Sequence, residues 1–322
     1  IYTLLLEAHE AGCKYVTMEV SSHALALNRI YGLEFDAIAF TNLTQDHLDF
    51  HKNIDEYMKA KQKLFTLTRD CKVAVINGDD PNYQNFVNKE NNNIIISSKK
   101  GDVLISDIDF TNLGTDFSFS YQNHLYRTHI NMVGRYNIYN YLTALLILTK
   151  LGFNIDDLLN LNEKLTAPLG RMQMIKYKNN SIFVDYAHTP DAVENVLKTS
   201  NEFKKGKIIT IIGCGGDRDK LKRPIMGDIA TKYSDYVIFT SDNPRTENPE
   251  DILNDIVCNL EKDNFEIEID RKLAIVKGLD MVKEGDYLLI LGKGHEDYQI
   301  IGHEKIHLDD KEEVLNYLSS HK

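Results

Sequence analysis

Short runs of β-branched and aromatic residues alternate with longer stretches of helical period over most of the 322 residues, and this alternation constrains the fold most. Strands separated by helix-length connections pair in parallel, because a parallel return needs a long crossover. Strands are predicted at Tyr15–Glu19, Ala37–Thr41, Val73–Asn77, Ile94–Ser97, Ile182–Asp185, Ile208–Ile212, Tyr236–Thr240 and Tyr287–Leu291. Helices are predicted at Ile54–Thr66, Ile138–Leu151, Ala192–Phe203, Arg223–Lys232, Pro249–Leu260, Lys272–Met281 and Lys311–Ser319. The stretch Asp102–Met132 breaks the rhythm. There Phe117, Phe119 and Tyr121 alternate with polar residues, as in antiparallel strands with one buried face. Pro and Gly in Ala167-Pro168-Leu169-Gly170 end a helical stretch, and a second strand-helix series follows. The expected fold class is α/β, with two domains at 1–166 and 167–322.

Charge and apolar patterning narrow the function. With 37 Lys+Arg against 48 Asp+Glu, the net charge of −11 argues against nucleic acid as a partner, because non-specific affinity needs Lys and Arg to neutralise phosphates. Apolar runs fall well short of the roughly 20 residues that span a bilayer. The opening Ile1-Tyr2-Thr3-Leu4-Leu5-Leu6-Glu7 has no basic n-region or small-residue cleavage site, so a cytoplasmic protein without a membrane partner is expected. Nothing in the sequence constrains the oligomeric state, and a monomer is the default expectation. Cys13, Cys71, Cys214 and Cys258 are scattered without a CxxC pair, which suggests neither a disulfide framework nor a zinc ribbon. The chain starts without Met, in what reads as the middle of a helix, and a fragment is expected.

Ligands of open parallel sheets bind outside the carboxyl ends of the strands. The residues at those ends are Glu19-Val20-Ser21-Ser22-His23, Thr41 to Asp49, Asp185-Tyr186-Ala187-His188-Thr189-Pro190, Gly213 to Asp219, Asp242-Asn243-Pro244-Arg245 and Gly292 to Asp297. Each cluster has an ordinary reading too. Asp185 or Ser21 can simply cap a helix, Glu19 can be a solvated or paired carboxylate, and the glycines can serve tight turns. Glu19, Asp46, His47 and Asp49 offer oxygen and imidazole donors suited to Mg²⁺ or Mn²⁺ rather than a thiolate-preferring metal. Arg218 and Arg245 are forked cations suited to carboxylates, and Glu296 suits an ammonium, a combination that fits an amino acid. Asn137 and Asn140 open an apolar helix on one face, either as caps or as contacts to a purine edge.

Ordered strings carry a family resemblance: those above, Tyr57-Met58-Lys59-Ala60-Lys61 with Leu64-Phe65, Gly134-Arg135-Tyr136-Asn137 with Asn140, and Gly170-Arg171-Met172. From about residue 12 to its end the chain resembles the Mur ligases, most specifically their diaminopimelate-adding branch. The resemblance implies a central ATP-binding domain, incomplete here, followed by a Rossmann-like parallel-sheet domain that binds the amino acid. It implies an ATP-dependent amide ligase of cytoplasmic peptidoglycan precursor synthesis. Such an enzyme adds meso-2,6-diaminopimelate to UDP-N-acetylmuramoyl-L-alanyl-D-glutamate (the UDP-MurNAc-dipeptide) through an acyl phosphate.

Residue by residue, the resemblance implies Glu19, His47 and Lys61 as the catalytic and magnesium-binding group, with Lys61 carboxylated by CO₂. It places Ser21 and Arg29 at the muramoyl-peptide, and Asn137, Arg171, Asp185 and His188 at ATP. Arg218, Asp242, Asn243, Pro244, Arg245, Gly292 and Glu296 would hold the diamino acid, with Arg245 pairing with the distal carboxylate that lysine lacks. Two departures stand out. Position 27 is Leu where some relatives carry a polar contact, and the family's GTxGKT-type phosphate loop does not occur in these residues. The chain is therefore expected to be an inactive part of a longer enzyme. A lysine-adding member, a folylpolyglutamate-type ligase and a non-catalytic binding fragment are the alternatives.

Overall fold

The computed structural model describes residues 1–43, 50–68, 71–111, 114–177 and 180–321. They gather into two compact units, the first made of 1–108, 117–128 and 136–161, the second of 109–116, 129–135 and 162–322.

In chain order, the N-terminal half forms α1 (Tyr2–Glu10), α2 (Ser22–Ala26), β1 (Ala37–Phe40), α3 (Ile54–Leu67), β2 (Val73–Asn77), β3 (Asn93–Ser97), β4 (Val103–Thr111), β5 (Gly114–Tyr121), β6 (His124–Ile130), α4 (Arg135–Lys150) and α5 (Ile155–Leu159). One sheet runs β1-β2-β3-β4-β5-β6, and its pairs from β1 to β4 are parallel. Between β5 and β6 only Gln122 and Asn123 intervene, both at positive φ (50° and 65°), a link short enough to join only antiparallel neighbours. Phe40, Tyr57, Phe65, Ala74, Ile76 and Phe86 form the core under α3.

The predicted strand Tyr15–Glu19 is not formed. Residues 15–19 are in neither strand nor helix, and Tyr15 and Val16 are 65% and 55% exposed. Among the described residues no strand pairs with this segment, and β-propensity alone does not make a strand. Helix α4 buries Ile138, Tyr139, Leu142 and Leu146, whereas Asn140 faces solvent, so it is less uniformly covered than its apolar sequence suggests.

The C-terminal half forms β7 (Gln173–Tyr177), β8 (Asn180–Asp185), α6 (Pro190–Phe203), β9 (Ile208–Ile212), α7 (Lys222–Tyr233), β10 (Tyr236–Phe239), α8 (Pro249–Val257), β11 (Phe265–Ile267), α9 (Arg271–Met281), β12 (Tyr287–Leu291), β13 (Tyr298–Ile301), β14 (Glu304–His307) and α10 (Asp310–Ser320). The main sheet has the order β11-β10-β9-β12-β8-β7, parallel except for β7 against β8. Strands β8, β9 and β12 are buried along their whole length, which is why they read as unbroken apolar runs rather than alternating ones. Ile209, Ile211, Ile275, Leu288 and Ile290 pack in one cluster, each contributing roughly 1.5–3 kcal/mol by leaving water.

The helices start where their caps dictate. Thr189 accepts from the Ala192 amide with Pro190 in the first turn, and Asn248 accepts from Glu250 ahead of Pro249. Because β12 sits between β9 and β8, the connections leaving β8 and β9 diverge, and the loops that follow β8, β9, β10 and β12 all lie at the carboxyl edge.

Candidate functional site

Two loops and strand β13 of the second unit meet through Asn243, which is 2% exposed. Its Nδ2 donates to Glu296 Oε2 at 2.9 Å, and its Oδ1 accepts from the Ile300 amide at 2.9 Å. Asp242 is buried and accepts from the Asn243 amide, while the Asp242 carbonyl accepts from Gln299 Nε2 at 2.7 Å. The β13–β14 hairpin thus docks edge-on against residues 242–245. Arg245 completes that docking, its amide donating to the Ile300 carbonyl and its carbonyl accepting from Gly302.

Arg245 stands at φ 52°, and its Nη1 donates to the Gly216 carbonyl at 2.7 Å. That bond orients the guanidinium while leaving most of its fork available to a planar anion. Pro244 is buried in the same loop. Gly292, at φ 111°, has no room for a side chain, because a Cβ would come within 2.8 Å of Asp242 Oδ2. Glu296 is also approached by Lys293, whose Nζ lies 3.4 Å away with the side chain wholly buried and donates to the Tyr298 carbonyl. Four of the sequence-predicted residues, Asp242, Asn243, Arg245 and Glu296, therefore belong to one hydrogen-bonded assembly, with Pro244 in the same loop and Gly292 close against Asp242.

Arg218 reaches no partner of that assembly among the described residues; it is exposed, with Nη1 3.5 Å from the Asp217 carbonyl. The loop carrying it is pinned by its neighbours. Asp217 accepts from Thr246 Oγ1 at 2.8 Å, and Glu247 accepts from the Asp217 amide at 2.6 Å. Glu247 also takes both Nη atoms of Arg223, at 2.8 and 3.1 Å. The Arg223 guanidinium, followed by Lys220, holds the Glu247 carboxyl down at about 2.

At the end of β8, Asp185 is 5% exposed and accepts from the Met172 amide at 2.6 Å and the Ala187 amide at 2.8 Å. Burial pushes its carboxyl upward despite those two donors. It thereby fixes the turn bearing Arg171, whose guanidinium lies 5.2 Å from the Tyr186 ring centre. His188 is exposed, its Nδ1 2.7 Å from the Tyr186 carbonyl. Asp185 caps no helix, since Thr189 caps α6; it braces the turn that presents Arg171 instead.

In the first unit Ser21 caps α2, its hydroxyl accepting from the Ala24 amide at 3.2 Å, so the capping reading holds for it. Glu19 and Arg29 are exposed. Lys61 lies in α3 with Nζ 5.1 Å from the Tyr57 ring centre. His47, like Asp46 and Asp49, falls outside the described residues. Among the described residues no group of three His, Cys, Asp or Glu side chains is placed to hold a metal. Asn137 is buried in α4, at 4% exposure.

Two features were not anticipated. Buried His51 places Nε2 2.9 Å from Ser22 Oγ and packs near Tyr57. Asp79 accepts from Ser97 Oγ at 2.6 Å, from the Ser98 amide at 2.8 Å and from the Tyr139 hydroxyl. Burial raises its carboxyl, but those hydrogen bonds outweigh it and hold the group at about 2. The Asp79-Asp80 pair after a predicted strand was the available signal. Its partners lie 18 and 60 positions away, beyond any local pattern.

Residues 1–148 match the family model described as Mur ligase middle domain, and residues 170–294 the one described as Mur ligase, glutamate ligase domain. A UDP-N-acetylmuramoyl-L-alanyl-D-glutamate–2,6-diaminopimelate ligase of Clostridium acetobutylicum is 45% identical over 94% of this chain and 64% of its own length. The ligase of that name from Clostridium perfringens is 43% identical over 99% of this chain and 67% of its own. A solved structure under the same name superposes with a TM-score of 0.69 at 34% identity, over 97% of this chain and 66% of that one. The MurF ligase of Thermotoga maritima, solved with ADP, gives a TM-score of 0.69 at 18% identity over 94% of this chain and 66% of that one, a likeness of fold. The chain thus spans about two thirds of the length of the proteins it matches. Among the described residues no helix is long and apolar enough to cross a membrane.

Proposed function

The chain belongs to the Mur ligase family, and from that premise we propose that it is part of an ATP-dependent ligase joining meso-2,6-diaminopimelate to the D-glutamate carboxylate of UDP-N-acetylmuramoyl-L-alanyl-D-glutamate. The reading divides it at 166/167 into a nucleotide-handling and an amino-acid-binding domain. In the reaction, ATP phosphorylates the D-glutamate carboxylate, the diamino acid's amine adds to the acyl carbon, and the C–O bond to phosphate breaks.

The observation that carries the reading is the joining of Asn243, Arg245 and Glu296 in one assembly. A carboxylate beside a buried amide suits an ammonium, and a guanidinium oriented by a backbone carbonyl suits a carboxylate. Meso-diaminopimelate has one carboxylate more than lysine. A site built for that group rejects lysine by leaving a desolvated guanidinium unpaired. Asp185 would hold the Arg171 turn against the nucleotide, with His188 beside it, and Asn137 is a nucleotide contact by the family resemblance alone. Ser21 and Arg29 would meet the muramoyl-peptide, and Arg218 the diamino acid. Glu19, His47 and carboxylated Lys61 would bind Mg²⁺, which neutralises phosphate charge during such transfers.

Titration calorimetry with meso-diaminopimelate and L-lysine tests the reading. The expected result is at least about a 100-fold preference for the former, the scale of an unpaired buried charge. Equal affinity would refute it.

A further inference from the structure

Arg271 and Asp310 form an ion pair with both side chains at 0% exposure. Arg271 Nε donates to Asp310 Oδ1 and Nη2 to Oδ2, each at 2.7 Å. The guanidinium has further donors, and they reach the main sheet. Nη2 donates to the Leu291 carbonyl at 3.0 Å, and Nη1 lies 3.4 Å from the Ser241 carbonyl. Ser241 immediately precedes Asp242, and Leu291 immediately precedes Gly292. One buried fork therefore grips the last backbone groups before both loops of the candidate amino-acid site.

Both partners begin helices, Arg271 at the start of α9 and Asp310 at the start of α10. The Asp309 and Asp270 caps and the Lys272–Glu313 bridge already secure those ends. Taking two charges fully out of water is expensive, and an apolar pair of similar volume commonly stabilises a core equally well. Holding the helices together does not account for the carbonyl contacts.

We propose that the Arg271–Asp310 pair is a positioning device that sets the relative placement of the 242–245 and 292–296 loops and so tunes affinity for the acceptor amino acid. The affinity part rests on the function proposed above, whereas the loop placement does not.

The test compares the native chain with Arg271→Met/Asp310→Leu, which leaves no lone buried charge, and with Arg271→Lys, which keeps the charge but loses the fork. Amide exchange is read at Arg245, Gly292 and Glu296, against Thr210 and Leu289 in the sheet. The expected result is exchange about tenfold faster at the three loop amides with the sheet amides unchanged, as local opening produces. Meso-diaminopimelate affinity should fall by a comparable factor at unchanged melting temperature. If the double variant does not fold, Arg271→Lys is read in the same way. Loop exchange equal to native in a folded variant overturns the proposal. Failure of the native chain to bind diaminopimelate refutes the function alone, while the exchange measurement still decides the positioning role.

Discussion

Asn243 donates to Glu296 across 2.9 Å although the two are 53 positions apart, so the loops after β10 and β12 act as one unit. Asn243→Ala removes that donor and also leaves the Ile300 amide without its acceptor. The expected loss is about 1–3 kcal/mol of stability, the cost of orphaned buried partners. Diaminopimelate affinity should fall at least about tenfold, the equivalent of roughly 1.4 kcal/mol. Urea denaturation and calorimetry measure both, and a variant with native affinity would show that Glu296 needs no orientation.

Arg245→Ala separates recognition of the distal carboxylate from general binding. Affinity for meso-diaminopimelate should drop about 100-fold or more, while that for L-lysine changes by less than about threefold, because only the former offers the forked partner. Parallel titrations decide it, and an equal loss for both ligands would remove Arg245 from the specificity argument.

Glu247→Ala leaves Arg223, whose side chain is at 0% exposure, with Asp255 as its remaining carboxylate. Because Asp255 still pairs the guanidinium, the expected loss is about 1–3 kcal/mol, the cost of buried donors left without an acceptor. Adding Arg223→Met should recover most of that loss in chemical denaturation. No recovery would mean that Glu247 acts through the Asp217 amide instead.

Asp79 supplies a pH dependence whose sign follows from its hydrogen bonds. Its carboxyl is held at about 2 in the folded chain against 3.8 ordinarily, so its contribution is full above pH 4 and vanishes as pH falls from 3.8 towards 2. On partial exposure that contribution is on the order of 1 kcal/mol. Urea midpoints from pH 2 to 6 should converge between native and Asp79→Asn at the acid end and separate above pH 4. Parallel curves would contradict the assignment.

Gly170 occupies φ 66°, and a Cβ there would collide with the Gly294 backbone and the His295 amide nitrogen. Gly170→Ala combines left-handed strain with that collision, and a loss above about 2 kcal/mol is expected. A melting temperature within a degree of native would show that the loop yields at no cost.

Most of the fold was legible because its signals are local. The apolar runs of β9 and β12 and the caps at Thr189 and Asn248 lie within a few residues of what they specify. The hairpin turn at Gln122-Asn123 and the short α2 went unread, since neither carries a Gly, a Pro or a long period. The segment 15–19 was misread because a strand needs a neighbour, and neighbours are a tertiary property.

By itself, the sequence determined which residue types stand after each strand, and so the family and the chemistry to look for. Only the tertiary structure decided that Asn243 joins Glu296 while Arg218 stays in solvent, and that Arg271 grips Ser241 and Leu291. The physical reason is that a buried polar group must be satisfied by whatever the fold brings within about 3 Å, and that partner can come from anywhere in the chain.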